Sequence, residues 1–305
     1  MTSVLVTGAS GFVGRQVMEA LAELPVEVHG ITHRPATGQT LPKATAWHQA
    51  DLLEGSRLDA ILGEVRPTHC LHLAWCVDHG RFWNDPANVD WLAASCRLLR
   101  KFTETGGKRF VGVGTCAEYA AQAEPCEELS TPLQPSSLYA ASKNAFHEIL
   151  ACFAEESGIS HSWARLFFLF GPWEHPQRLV PYIVTSLLNG VPANVSRGTQ
   201  LRDFLDVRDA GRALALLLLG EAKGAVNIAS GRAVSIAELA TRLAALLGRP
   251  DLLKLGVRPD RPGDPPVQVA AIGRQVDDIG IPAGRELDDG LRQVIDWWRD
   301  RSHPG

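Results

Sequence analysis

"SVLVTGASGFVGRQVMEALAEL", residues 3–24, passes from a short apolar strand-like segment through a glycine-rich turn into an amphipathic helical pattern. Gly8, Gly11 and Gly14 stand in G-x-x-G-x-x-G spacing across the junction. Such a turn lets a pyrophosphate approach backbone N–H groups at a helix N-terminus. A plain strand–turn–helix with chance glycines has the same pattern. The position at the first strand–helix junction is what favours nucleotide binding.

Outward from this stretch the alternation repeats. "VEVHGIT" and "ATAWHQADL" read as strands, "SRLDAILGEV" as a helix and "THCLHLAW" as a buried strand. A long helix, "ANVDWLAASCRLLRKFTETG", and a strand, "RFVGVGT", follow. A helix over about 137–157 and a strand "SHSWARLFF" close the first part. Strand–helix alternation of this kind predicts a doubly wound parallel sheet covered on both faces, over residues 1–170. After Gly171-Pro172 the pattern loosens, with helical periodicity near 176–189, 207–220, 235–248 and 288–299. Strand-like pieces such as "AVNIAS" and "LKLGVRP" lie between. Residues 171–305 are expected to form a smaller α/β substrate lobe, with segments near 203–230 crossing back.

The chain has 305 residues and a net charge of −4, which gives no reason to expect nucleic acid or an anionic membrane as partner. Its six cysteines are scattered without a C-x-x-C, so neither a zinc site nor a disulfide framework is expected. His69 and His72 face opposite sides of a strand and make no metal pair. The sequence starts without a targeting leader, and "ALALLLLG" (213–220) is too short to span a bilayer. A cytoplasmic protein is expected.

Two features bear on chemistry. The second strand ends in Thr32, His33 and Arg34, where dinucleotide folds place a carboxylate for the ribose 2′-OH. A guanidinium without that carboxylate favours NADP over NAD. Asp51 stands after the third strand, either near an adenine or as a helix cap. "LYAASKNAF" (138–146) puts Tyr139 and Lys143 one helical turn apart. A cation beside a phenol lowers its pKa, so Tyr139 could exchange a proton with a substrate oxygen. Thr115, at the end of the preceding strand, would bind the same oxygen.

In matching order along nearly the whole chain, these pieces resemble the extended short-chain dehydrogenase/reductase family of nucleotide-sugar enzymes. "TGASGFVG", "HLAW", Asn88 in an "NV" helix start, "GTCAEYA", "YAASK", "RLFFLFGP", "LRDFLDVRD" and "RPGDPP" carry the resemblance. It implies a Rossmann-type fold and Thr115, Tyr139 and Lys143 as the catalytic set. Implied cofactor contacts are Gly8, Ser10, Gly11, Phe12, Val13, Gly14, His33, Arg34, Asp51, Leu52, Leu73, Ala74 and Trp75, with Tyr139 and Lys143. Arg202 and Arg261 would bind the substrate's phosphates, beside Val180. Three departures stand out. Phe168 replaces an Asn. Trp75 replaces a small residue and is expected to narrow the sugar pocket. Cys116 and Ala117 replace the Asp-Glu pair of the 4,6-dehydratases, which disfavours dehydration. Cys116 and His175 are candidates for a second acid–base pair.

The expected function is NADP(H)-dependent reduction of a nucleotide-linked keto-sugar, an NDP-4-keto-6-deoxyhexose. A nucleotide-sugar epimerase retaining NAD and a non-catalytic dinucleotide sensor are the alternatives. Helices near 85–105 and 137–157 could pair into a homodimer. "DWWRD" (296–300) is expected on a C-terminal helix docked on the small lobe, and "EPCEELS" (124–130) in a solvated loop, with a lid as the other reading.

Overall fold

The computed structural model describes residues 2–34, 41–77, 79–261 and 263–302. β1 (Ser3–Thr7) leads into α1 (Phe12–Leu21), followed by β2 (Glu27–Thr32), β3 (Ala46–Gln49) and α2 (Ser56–Val65). β4 (His69–His72), α3 (Ala87–Glu104), β5 (Arg109–Thr115), α4 (Leu138–Ser157) and β6 (Ser160–Leu166) continue the alternation. β1 is buried along its whole length, as a strand covered on both faces must be.

A later strand, β10 (Gly224–Ile228), joins these six in a parallel sheet of order β10-β6-β5-β4-β1-β2-β3. α1 and α6 (Val207–Leu219) cover one face through Val17, Met18, Leu21, Leu214 and Leu217. α2, α3 and α4 cover the other through Leu58, Leu98, Phe102, Phe146 and Leu150. Each such leucine or phenylalanine contributes roughly 1.5–3 kcal/mol by leaving water. This is a Rossmann-type α/β fold. The strand order reverses between β1 and β4, which opens a crevice at their C-terminal ends.

α4 starts where Ser137 accepts a hydrogen bond from the Ala140 N–H at 3.2 Å, and stops at Gly158, whose φ of 73° no branched residue would favour. Its buried face carries Ala140, Phe146, Leu150 and Ala154, and also Lys143. The lysine therefore stands on the apolar side of the helix.

The stretch 160–168 is not one strand. Phe167 interrupts it, donating its N–H to the Ile228 carbonyl at 3.3 Å. β6 stays in the large sheet, while β7 (Phe168–Phe170) leaves to pair with β9 (Leu201–Asp206). β9 is flanked by β11 (Ala233–Ser235) and β13 (Val267–Gln268) in a second sheet. β8 (Ala193–Asn194) pairs with β12 (Leu253–Lys254), the only strand that "LKLGVRP" yields. α5 (Leu179–Leu188), α7 (Ile236–Leu246) and α9 (Leu287–Ser302) share a core with the second sheet: Val180, Ile183, Leu187, Leu239, Leu243, Leu291 and Val294. α8 (Gly273–Ile279) lies against β10 and α6.

The expected helix near 176–189 begins only at Leu179, because Gly171–Arg178 forms a loop. The acidic loop at 124–130 is pinned rather than free to act as a lid. Cys126 donates its N–H to the Val269 carbonyl at 2.7 Å, and the Glu128 carboxylate accepts the Asn227 N–H at 2.8 Å.

Candidate active site

The glycine turn forms a close-packed cradle at the crevice. Gly8 has φ of 67°, and a Cβ on it would stand 2.8 Å from the Ala74 nitrogen. A Cβ on Gly14 would stand 2.1 Å from the Gly8 carbonyl oxygen, so neither position admits a side chain. The Leu73 N–H reaches the Thr7 carbonyl and the Ala74 N–H the Thr7 hydroxyl, both at 3.3 Å, which holds the β4 end against the turn. His72 braces Thr7 from below, bridging its hydroxyl and that of Ser95 at 2.8 Å each. Burial pushes this imidazole down to about 3, so it is neutral. Gly11 caps α1 without a side-chain hydrogen bond, leaving first-turn N–H groups for an anion; Phe12 and Val13 open that turn half-buried. Backbone donors in a cradle that excludes Cβ atoms fit a dinucleotide pyrophosphate.

At the end of β2 the buried Thr32 hydroxyl receives Ser10 at 3.2 Å and the Arg34 N–H at 3.3 Å. His33 and Arg34 are exposed, with the Arg34 Nε 3.3 Å from the His33 Nε2. Asp51 is exposed and accepts the Leu53 N–H at 2.9 Å, stabilising its own turn. It does not cap α2, whose N-cap is Gly55. The Leu52 side chain is buried in the core with Ile31 and Leu58.

Thr115 ends β5, its hydroxyl accepting the Ala117 N–H at 3.2 Å. The Thr115 hydroxyl stands near enough to the Tyr139 phenol to pull its pKa down. Phe82 and Trp83 pack T-shaped against the Tyr139 ring, with centroids at 4.9 and 5.9 Å. Lys143 is 3% exposed; its Nζ donates to the Val113 carbonyl at 2.8 Å and lies 3.9 Å from the Trp75 ring centroid. Burial pulls this amine down to about 7, while Glu118 pushes it up.

Tyr139 is pushed above its ordinary value by burial first, then by Glu118 and Cys116, with Arg178 and the Thr115 hydroxyl opposing. In the protein alone, the cation one turn away is directed to a carbonyl and an indole face, and the expected acidification of the phenol is not seen. Trp75 departs from expectation as well. It is buried under Lys143, donates its indole N–H to Asn88 Oδ1 at 2.8 Å and stacks on Trp91. It does not line the sugar-sized cavity described below.

Glu118, in the 3-10 turn after Thr115, is fully buried and organises this region. It accepts the Thr115 N–H at 2.9 Å, Arg165 Nε at 2.7 Å and the Trp163 indole at 3.0 Å. Arg165 in turn reaches the Tyr119 hydroxyl at 3.2 Å, which donates to Asn227 at 2.7 Å. This network fixes the strand end that carries Thr115.

A cavity of about 590 Å³ opens beside Phe82 and Trp83. Val180, Arg202 and Arg261 line it, as do Phe168, Glu174 and Arg178. Arg202 is buried, pairs with Asp264 at 2.8 Å and lies over the Phe168 ring at 5.2 Å. The Asn-to-Phe departure thus provides a face for this guanidinium. Arg261 sits over Trp83 at 5.0 Å.

Cys116 is not a wall of the cavity. It is buried with Tyr119, Cys126 and Phe167, and burial pushes its thiol up to about 12. Held protonated near neutrality, the thiol sits in that cluster rather than in the cavity wall. His175 is exposed and stacks on His79, which does line the cavity, at 5.5 Å. Sequence reasoning missed Phe82, Trp83, Glu174 and Arg178. The available signals were aromatics soon after the β4 end and charges just after Gly171-Pro172.

Fold, cradle and hydroxyl pair define a dinucleotide-dependent oxidoreductase of the α/β class. Residues 4–229 match a family model described as the NAD dependent epimerase/dehydratase family, and the chain belongs to that family. It is an enzyme of the extended short-chain dehydrogenase/reductase type, which sets aside the sensor reading. The chain is 26% identical to dTDP-glucose 4,6-dehydratase of Xanthomonas campestris pv. campestris, covering 98% of this chain and 93% of that one. It is 27% identical to UDP-glucuronate 4-epimerase 6 of Arabidopsis thaliana, covering 97% and 71%. The Thermus thermophilus UDP-glucose 4-epimerase in complex with NAD superposes with a TM-score of 0.87 at 27% identity, covering 98% and 99%. A Thermotoga maritima UDP-glucose 4-epimerase with UDP-glucose shares the fold, with a TM-score of 0.89 at 22% identity over 99% and 100%. No helix among the described residues is long and apolar enough to cross a membrane.

Proposed function

We propose that the protein reduces a nucleotide-linked keto-sugar, an NDP-4-keto-6-deoxyhexose, with NADPH as reductant. The observation that carries this reading is Tyr139, beside the Thr115 hydroxyl and packed against Phe82 and Trp83, which line a cavity together with Arg178, Arg202 and Arg261. A bound nicotinamide dinucleotide supplies hydride exchange with carbon. Tyr139 gives its proton to the carbonyl oxygen, and Thr115 donates a hydrogen bond to the same oxygen. Lys143 has N–H donors beyond the one engaged by Val113 and would hold ribose hydroxyls. The burial that raises the phenol's pKa keeps it a proton carrier until substrate arrives.

The β2 end, with Thr32, His33 and Arg34 and no carboxylate, suits a 2′-phosphate. Arg202, Arg261 and Arg178 would clamp the substrate's diphosphate, with Arg202 exchanging Asp264 for it. Residues 171–305 act as the substrate lobe in this reading. Dehydration is disfavoured because Cys116 is a buried thiol and Ala117 has no acid to offer. A homodimer through α3 and α4 is consistent with the exposed Val89 and Ile149 on those helices.

A second reading, an epimerase that retains NAD and oxidises then re-reduces C4, is favoured by the NAD-bound relative from Thermus thermophilus. Absorbance of the purified protein and NADPH consumption separate the two. Loss of the nicotinamide band with an NDP-4-keto-6-deoxyhexose supports the reductase. A tightly bound NAD with no net consumption supports the epimerase instead.

A further inference from the structure

The loop between β7 and α5 holds a side chain that the reaction above does not use. Trp173 has φ of 70°, a left-handed conformation that a bulky residue adopts only under constraint. The residue is 37% exposed, and its ring meets three side chains. The Arg15 guanidinium of α1 lies over it at 4.2 Å, Arg301 of α9 lies over it at 4.9 Å, and Trp297 meets it at 5.3 Å. The next residue, Glu174, is thereby held in the wall of the 590 Å³ cavity, 5% exposed. Its Oε2 is buried and has no hydrogen-bond partner among the described residues.

An orphaned buried carboxyl oxygen carries a desolvation cost, which a ligand supplying the missing partner would relieve. Glu174 lines the cavity together with Arg178, Arg202 and Arg261, a set suited to a diphosphate. The uncharged remainder of such a ligand offers hydroxyl groups.

We propose that Glu174 is a specificity-determining residue for the sugar, its carboxyl completing its hydrogen bonding on hydroxyls of the hexose carried by a nucleoside diphosphate. The inference rests on the nucleotide-sugar reading of the same cavity. Burial pushes Glu174 up to about 8, with the nearby Arg178 and the Gly171 backbone opposing, so at neutral pH it presents both a donor and an acceptor. A hydroxyl offers the matching acceptor and donor. The other titratable or charged groups around the cavity are His79, Arg202, Arg261 and Asp264, with His175 stacked on His79 at its mouth and Arg15 and Arg301 behind Trp173. His79 is held below its ordinary value by burial, Arg178 and His175.

The test is calorimetric. The wild-type protein is titrated with UDP, dTDP, GDP, CDP and ADP, and the tightest binder is compared with its glucose conjugate. The expected result is that Glu174→Ala weakens the conjugate about tenfold and leaves the bare diphosphate unchanged. Glu174→Gln, which keeps a donor and an acceptor, should retain conjugate binding. Between pH 7.5 and 9.5 the conjugate's affinity in wild type, relative to its affinity in Glu174→Gln, should fall as the carboxyl loses its donor. That glutamine control separates Glu174 from the other titrating groups. Equal weakening of diphosphate and conjugate in Glu174→Ala, or no weakening of either, overturns the inference alone. Failure of the wild type to bind any nucleoside diphosphate overturns the nucleotide-sugar reading and this inference with it.

Discussion

Removing Glu118 should cost both stability and order at the hydroxyl pair. Its carboxylate is fully buried and accepts three donors: the Thr115 N–H at 2.9 Å, Arg165 Nε at 2.7 Å and the Trp163 indole at 3.0 Å. In Glu118→Ala the Arg165 guanidinium, 1% exposed, keeps only the Tyr119 hydroxyl at 3.2 Å and the weak approach to His147 at 3.4 Å. Breaking a buried pair from one side costs about 3–5 kcal/mol, mostly the uncompensated charge left behind. For a chain of this size that lowers the Tm by roughly 5–8 °C. Glu118→Gln keeps an acceptor without the charge and should fall between. Because Glu118 also pushes Tyr139 and Lys143 upward, either variant should move the pH profile of kcat toward acid. Urea titration and thermal melts at pH 7 give the stability, and initial rates across pH the rest. A loss under about 1 kcal/mol in Glu118→Ala, with an unmoved profile, would refute the account of the network.

Further perturbations follow from the same geometry. Tyr139→Phe deletes the hydroxyl that meets Thr115 and should lower kcat by about 10²–10⁴ while dinucleotide binding, followed by fluorescence, persists. Gly14→Ala would place a Cβ 2.1 Å from the Gly8 carbonyl oxygen, so it should abolish dinucleotide binding and lower the Tm. Lys143→Met should stabilise the fold while lowering activity. The folded pKa of about 7 lies below the ordinary lysine value of 10.5, so between these values the unfolded chain binds more protons and stability rises with pH. Below about pH 7 the full penalty is present, and the variant should gain roughly 1–3 kcal/mol there in urea titrations. A less stable Lys143→Met at pH 6 would contradict the burial of that charge.

What the sequence determined lies within short windows. The alternation of apolar runs with helical periodicity specified the strands of the parallel sheet, because a strand buried on both faces leaves a continuous apolar run in the sequence. The G-x-x-G-x-x-G turn placed Gly8 and Gly14 where only a hydrogen fits, and four-residue spacing put Tyr139 and Lys143 on one side of α4. Tertiary structure decided the surroundings. Nothing local shows that Phe167 lets the chain leave one sheet for another, since that depends on β9 and β10 arriving some 35–60 residues later. Whether Lys143 faces a phenol or the Val113 carbonyl and Trp75, and whether Cys116 meets substrate or an apolar cluster, is set by which strand ends converge. Glu174 shows the same limit. Its solvation depends on a loop clamped by residues of α1 and α9, from opposite ends of the chain, and desolvation is a property of the assembled neighbourhood, not of the residue's place in the sequence.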